Sequence, residues 1–115
     1  MAMTWDDIVA FAEERDAIYR AVRETGISDR ERILARMVKL MEEVGELSDE
    51  VLGGLGHQRQ IKLDNRKNGG LEEEVADVVI TVLLLARSLG VNVPQAIEKK
   101  AAVIRARSIP SGEHV

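Results

Sequence analysis

The segment from Val75 to Ala86 constrains the fold most, because it reads VADVVITVLLLA and is apolar on nearly every side. A helix that lacks a polar face is a buried helix. A monomer of four helices rarely buries one of them so completely. The sequence therefore predicts an oligomer in which other copies cover this helix.

The rest of the composition predicts one small, helical domain. The chain has 115 residues, which is the usual length of a single domain. Aromatic residues make up only 3% and all fall in the first twenty positions, whereas Leu, Val, Ile and Ala are abundant. A core of this kind favours helices over a β-sandwich. The chain has no cysteine, which excludes disulfides, zinc–thiolate sites and a cysteine nucleophile.

Charge and hydropathy exclude further classes of protein. The net charge of −4 argues against general nucleic-acid binding, which requires a basic surface. The N-terminus, MAMTWDDIVA, lacks the basic residues of a signal peptide. The apolar run from Val78 to Ala86 is too short for a membrane span, which takes about 20 residues. We expect a cytoplasmic protein without a membrane partner.

Apolar periodicity and capping residues predict four helices. They are expected at about residues 4–24, 28–52 and 71–89, and from about residue 92 onwards. Ser28 and Glu31 form the capping-box pattern at the start of the second helix. Residues 53–70 have glycines at both ends and a basic middle, which is typical of a mobile loop. Residues 108–115 are expected to form a frayed tail.

Acidic residues of the second helix share one face. At 100° per residue, the charged stripe lies about 130° from the centre of the apolar stripe. Its members are Lys39, Glu43, Glu46 and Glu50. Taken alone, such a stripe is as typical of a solvated face as of a site.

Two acidic residues of the third helix are harder to explain as surface charge. Glu74 and Asp77 are three residues apart and share a face, and Asp77 lies within the most apolar part of the chain. Burying a lone carboxylate costs several kcal/mol unless it is paired, protonated or bound to a metal. A salt bridge to a basic helical residue is the purely structural alternative.

Two such pairs on facing helices would bring four carboxylates together. At an effective dielectric constant near 20, each pair of charges about 5 Å apart repels by about 3 kcal/mol. The cluster therefore predicts a bound cation, and oxygen-only ligands favour Mg²⁺ and then Mn²⁺. A di-iron bundle is excluded because neither His57 nor His114 follows a glutamate by three residues.

The acidic residues resemble the signature of a known family. Glu42-Glu43-Val44-Gly45-Glu46, followed after 27 residues by Glu74-Val75-Ala76-Asp77, is similar to the EExxE…ExxD pattern of MazG-like nucleoside triphosphate pyrophosphohydrolases. The flanking segments KLMEEVGELSDEV and GGLEEEVADVVI also have the family's apolar rhythm. The resemblance covers about residues 30–107.

The resemblance implies an all-α fold of four to five helices, in a single MazG-like domain over residues 1–115, assembled as a dimer or a dimer of dimers. It implies Mg²⁺-dependent hydrolysis of a (d)NTP to the (d)NMP and pyrophosphate, a reaction that suits house-cleaning of the nucleotide pool. The expected partners are the nucleoside triphosphate and further copies of the chain. The base and sugar preference stays open, because neither the first helix nor residues 53–70 carries a base-recognition motif that we can match.

Carried over residue by residue, the resemblance implies that Glu43, Glu46, Glu74 and Asp77 bind the metal. Glu42 is expected either to lie just outside the direct metal ligands or to bind a second metal ion. A carboxylate near the metal must act as general base, since no helical histidine is present, and either Glu46 or Glu42 is expected to do so.

Basic residues are candidates for holding the outer phosphates, although each can equally be a solubilising surface charge. These candidates are Lys39 on the second helix, Arg66 and Lys67 before the third, and Lys100 on the fourth. Three alternatives to a (d)NTP pyrophosphohydrolase remain: a phosphoribosyl-ATP pyrophosphatase, a non-catalytic oligomer that binds nucleotide or metal, and a plain structural bundle.

Overall fold

The computed structural model describes residues 1–56 and 70–107, which fold into four α-helices. The helices are α1 (Trp5–Val22), α2 (Asp29–Gly54), α3 (Gly70–Ser88) and α4 (Val93–Arg105). The described ranges contain no strand, and the all-α prediction is confirmed. The predicted loop lies mainly at 57–69 and the predicted tail at 108–115, both outside the described residues.

Side-chain caps fix where the helices begin. The Oγ1 atom of Thr4 accepts a hydrogen bond from the backbone N–H of Asp7 at 3.1 Å, and the Asp7 carboxylate accepts one from the backbone N–H of Thr4. Ser28 and Glu31 form the same reciprocal capping box, as the sequence predicts. At α4 the side chain of Asn92 caps the helix and Pro94 occupies the first turn.

The largest interface is formed by α2 and α3, and on α2 it is charged. Along α2 the residues of this charged seam recur at alternating spacings of four and three, which places them on one face of the helix. The seam comprises Arg32, Arg36, Lys39, Glu43, Glu46, Glu50 and Gly53. All are buried except the half-buried Glu46 and the exposed Lys39. The interpretation of the stripe as a solvated face is therefore wrong.

The apolar stripe of α2 instead lies on the surface of the protomer. Met41 is 64% exposed and Met37 43% exposed. Other large apolar side chains of α2 are also exposed, namely Leu34, Val38, Val44, Val51 and Leu52. The apolar face of α2 is thus opposite to the face that contacts α3.

Within a single protomer α3 is not buried on every side, which leaves the predicted covering by other copies untested. Leu71, Val75, Val79 and Val82 are all exposed. The physical reason is that the neighbouring helices cover only part of the α3 surface, since α2 and α1 are the helices that pack closely on it. Covering by other copies stays a prediction.

The small apolar core lies where α1 packs against α3. It consists of Ala12 on α1 with Leu83, Leu85 and Ala86 on α3. No residue of α4 is buried, although Ile97, Ala101 and Ile104 follow the spacing of an apolar stripe. Among the described residues, no helix combines the length and apolar character that crossing a bilayer requires.

Candidate active site

The basic half of the charged seam forms a network of buried ion pairs. The Nη1 atom of Arg36 donates to Oδ1 of Asp16 at 2.7 Å and to the carbonyl oxygen of Leu84 at 2.9 Å. Its Nη2 atom donates to Oε1 of Glu24 at 3.0 Å, and Nε of Arg32 donates to the same oxygen at 3.2 Å. One guanidinium group therefore joins α1, α2 and α3.

In this network the acids are matched by cations. Asp16 also contacts Arg20 at 3.1 Å and Arg87 at 3.7 Å. Burial opposes ionisation of Asp16, but its hydrogen bonds to Arg36 and Arg20 outweigh that effect and lower its pKa below 3.8. The network is thus saturated within the protein and holds the helices together.

Sequence reasoning missed this network, although a signal for it was present. Asp16 lies four residues after Ala12 and three before Tyr19, on the apolar stripe of α1. A carboxylate in an apolar stripe is the same feature that singled out Asp77. Here the partners are arginines of α2 and α3 rather than further acids.

The acidic half of the seam brings three of the predicted metal ligands together. One carboxylate oxygen from each of Glu43, Glu46 and Glu74 lies within 4.8 Å of the other two. Glu43 and Glu74 are buried, and Glu74 is only 1% exposed. Seven residues separate Arg36 from Glu43, so two turns of α2 carry the change from a balanced cluster to an acidic one.

The donors of this carboxylate cluster fit a hard divalent cation. Mg²⁺ binds oxygen at 2.0–2.1 Å, so two ligands of one ion are at most about 4.2 Å apart. Adjacent ligands of an octahedral ion are about 3 Å apart, so rotation of the flexible glutamate side chains would bring the three oxygens onto one ion. The Oε2 atom of Glu43 is buried and has no hydrogen-bond partner among the described residues. A buried carboxylate oxygen left in this way is suited to a cation.

The acidic surface continues to the N-terminus of α3. Gly70 begins this helix with a φ of +54°, and a Cβ atom built there would lie 3.4 Å from Oε2 of Glu50. The buried carboxylate of Glu50 thus approaches the positive end of the helix dipole. A glycine at this point permits both the backbone angle and the close approach.

Asp77 lies one turn away from the carboxylate cluster. It is half-buried and lines a cavity of about 290 Å³ together with Glu43 and Lys39. It makes no ion pair with another described residue, so the salt-bridge alternative receives no support there. The structure therefore groups three predicted ligands closely and places the fourth on the adjoining cavity wall.

Lys39 contacts the edge of the carboxylate cluster. Its Nζ atom lies 3.2 Å from Oε1 of Glu43 and 3.6 Å from Oε2 of Glu42. The hydrogen bond with Glu43 raises the pKa of Lys39, which keeps it charged. The side chain of Lys39 is 60% exposed, so solvent screens its attraction to the buried Glu43.

Of the other three predicted phosphate ligands, Lys100 alone lies among the described residues. Lys100 is exposed on α4, a helix without buried residues. Arg66 and Lys67 lie outside the described part of the chain.

Comparison with protein families matches residues 31–108 to the MazG nucleotide pyrophosphohydrolase domain. The chain belongs to the MazG family. The match includes both helices that carry the carboxylate cluster, and the resemblance read from the acidic signature is confirmed.

One curated relative comes from Bacillus subtilis (strain 168), where it is called "Uncharacterized protein YpjD". It is 36% identical over 63 residues, which are 55% of each of the two chains. The chain thus spans about half the length of that relative. No solved structure matches the chain significantly.

Proposed function

We propose that this MazG-family chain is a Mg²⁺-dependent nucleoside triphosphate pyrophosphohydrolase that converts a (d)NTP to the (d)NMP and pyrophosphate. The convergence of Glu43, Glu46 and Glu74 at a buried point between α2 and α3 carries the proposal. Family membership supports the class of reaction. The nearby arginine network differs from the cluster, because the buried Asp16 there is paired with Arg36 and Arg20.

The reaction needs a base, a polarised phosphate and a leaving group. The water oxygen bonds to the α-phosphorus, the bond from that phosphorus to the bridging oxygen breaks, and pyrophosphate leaves with the electron pair. Mg²⁺ held by Glu43, Glu46, Glu74 and Asp77 would polarise the α-phosphate and offset the negative charge of the leaving group. The proton of the water passes to a carboxylate.

Glu46 is the better placed of the two predicted bases. It is half-buried within the carboxylate cluster, whereas Glu42 is exposed and pairs with Lys39. Lys39 lies at the boundary between the cluster and the cavity, where its ammonium group can contact a phosphate oxygen of the substrate. Mn²⁺ is the alternative cation for the same oxygen donors.

An activity panel tests this proposal. The purified protein is incubated with Mg²⁺ and each common NTP and dNTP, several modified nucleotides and phosphoribosyl-ATP, and the products are separated by chromatography. We expect monophosphate and pyrophosphate. Glu46→Gln and Asp77→Asn should each lower turnover at least about a hundredfold without loss of helicity by circular dichroism. Glu73→Gln, which alters an exposed acid beside Glu74, is the matched control.

The other outcomes are equally informative. Diphosphate and phosphate as products would contradict attack at the α-phosphorus. Turnover of phosphoribosyl-ATP alone would assign the site to that substrate. Nucleotide binding without any turnover would indicate a non-catalytic role, and near-normal activity of Asp77→Asn would remove that residue from the site.

We further propose that the chain acts as a homo-oligomer. The exposed apolar faces of α2 and α3 support this, because soluble monomers rarely leave such extended apolar patches uncovered. A second copy offers the same faces in a symmetric arrangement. Light scattering on the purified protein measures the state directly, and a monomer at all concentrations would contradict the proposal.

A further inference from the structure

The cavity beside the carboxylate cluster lies between α1, α2 and α3, and its volume of about 290 Å³ is just below the range of about 300–1,000 Å³ that is usual for small-molecule sites. Glu43 and Asp77 mark one end. The contact of Arg36 with the carbonyl of Leu84 marks the other end, two turns further along α2. The cavity therefore leads away from the carboxylates toward α1.

The end of the cavity near α1 has the surfaces that a flat aromatic ligand needs. Ala35, Ile80 and Leu84 supply apolar wall from α2 and α3. Tyr19 and Arg23 supply the wall from α1, and the Arg23 guanidinium lies over the Tyr19 ring at 4.8 Å from its centroid. Guanidinium groups stack on planar rings and provide a flat, charged surface for a second ring.

Arg23 differs from the other arginine in this cavity. Arg36 already donates to Asp16, Glu24 and the carbonyl of Leu84, so its donors are used within the protein. Arg23, in contrast, makes no ion pair with another described residue. Its contact with Tyr19 holds the guanidinium beside the cavity and leaves its donors available to a ligand.

We propose that this cavity binds the nucleobase of the substrate, with the base against the Arg23 guanidinium and the triphosphate directed toward Glu43 and Asp77. The inference rests on the proposed function and adds the location of base recognition. Tyr19 is a positioning residue, since it acts by supporting Arg23. The apolar wall and the stacked guanidinium would contact the π-face that every base has. This subsite therefore supplies affinity for a base of any kind.

The test compares ligands with and without a base on the full chain. Calorimetry measures binding of nucleoside monophosphates and of pyrophosphate, and kinetics compares nucleoside triphosphates with methyl triphosphate. In Arg23→Ala we expect about tenfold weaker monophosphate binding and about tenfold lower kcat/KM for nucleoside triphosphates. Pyrophosphate and methyl triphosphate should be unaffected. Arg23→Lys keeps the charge but loses the planar surface. It should also lower the affinity for nucleoside monophosphates and the kcat/KM for nucleoside triphosphates.

Arg15→Ala is the matched control. Arg15 also lies over the Tyr19 ring, at 5.2 Å, but it does not line the cavity. We expect its ligand affinities to stay within about twofold of wild type. An equal effect of Arg15→Ala and Arg23→Ala would overturn the proposal, because both would then act only through Tyr19 and α1.

Failure of this inference is distinguishable from failure of the proposed function. Hydrolysis that is unchanged in Arg23→Ala overturns the base site alone. Equal losses for methyl triphosphate and nucleoside triphosphates also overturn it, because Arg23 would then bind phosphate. Monophosphate binding that depends on Arg23, without hydrolysis, supports the base site and contradicts the enzyme. Absence of both binding and hydrolysis contradicts both.

Discussion

The two halves of the charged seam of α2 bury charge in opposite ways. In the N-terminal half, Arg32 and Arg36 meet Asp16 and Glu24 at 2.7–3.4 Å, and acids and cations are matched. In the C-terminal half, glutamates converge, and the exposed Lys39 contacts Glu43. The same helix face thus carries a saturated network and an acidic one.

The difference teaches how to separate structural charge from functional charge in a helical protein. A buried carboxylate is tolerated when it is paired, and the arginine network satisfies this condition within the protein. In the carboxylate cluster three acids converge instead, and the exposed Lys39 contacts Glu43. The convergence of acids, more than burial alone, therefore distinguishes the proposed cation site from the arginine network.

The largest expected effect comes from breaking the balanced half. Arg36→Met should lower the free energy of unfolding by about 3–5 kcal/mol, because it removes the buried guanidinium that pairs with the buried Asp16 and the half-buried Glu24. Urea denaturation followed by circular dichroism measures this. Arg20→Met is the matched control. Its side chain is 40% exposed, so its loss should cost less than about 1 kcal/mol.

A loss below about 1 kcal/mol in Arg36→Met would contradict the view that this network holds α1, α2 and α3 together. It would also weaken the contrast between the two halves of the charged seam, because loss of a buried ion pair would then change the free energy of unfolding very little.

The acidic half should respond in the opposite direction. Glu43→Gln removes one of three converging charges, and each repels a neighbour about 5 Å away by about 3 kcal/mol at an effective dielectric constant of 20. The lost contact with exposed Lys39 offsets this by less than about 1 kcal/mol. Since Glu43 has two such neighbours, we expect the metal-free protein to gain at least about 2 kcal/mol in the free energy of unfolding.

Addition of Mg²⁺ sharpens that prediction. A cation that binds only the folded state stabilises wild type by about 2.7 kcal/mol at a hundred times its Kd. Glu43→Gln should lose most of this response, whereas Glu73→Gln should keep it. A wild-type protein that is insensitive to Mg²⁺ and Mn²⁺ would contradict the metal site.

The smallest effect concerns acid. The pKa of Asp16 is lowered on folding, so its ion pairs contribute stability above pH 3.8, and this stability is lost as the pH falls through the folded-state pKa. Below pH 4 the stability of Asp16→Asn should therefore fall less steeply than that of wild type, by at most about 1.4 kcal/mol per pH unit for one proton. Chemical denaturation at several pH values measures both slopes. They should coincide above pH 6, and coincidence below pH 4 would contradict the prediction.

The helices could be predicted from sequence because their causes are local. Each predicted helix start lies within two residues of the observed start. The starts follow from the apolar spacing and from the capping residues Thr4, Ser28 and Asn92. The acidic signature also sufficed to identify the family and to select the glutamates that converge.

The orientation of α2 could not be predicted in this way. Its hydrophobic pattern shows two distinct faces but does not show which one meets α3, and the usual expectation places Met37 and Met41 inside. The structure places Arg36 and Glu43 inside instead. The choice depends on partners that are distant in sequence, namely Asp16 and Glu24 on one side and Glu74 on the other.

The confinement of the aromatic residues to the first helix has a consequence for spectroscopy. Trp5, Phe11 and Tyr19 are the aromatic side chains of the whole chain, and all belong to α1. Intrinsic fluorescence therefore reports on the environment of α1 and is nearly blind to events between α2 and α3. A cation entering the carboxylate cluster would leave the Trp5 emission almost unchanged, whereas a ring bound beside Arg23 would alter the emission of Tyr19.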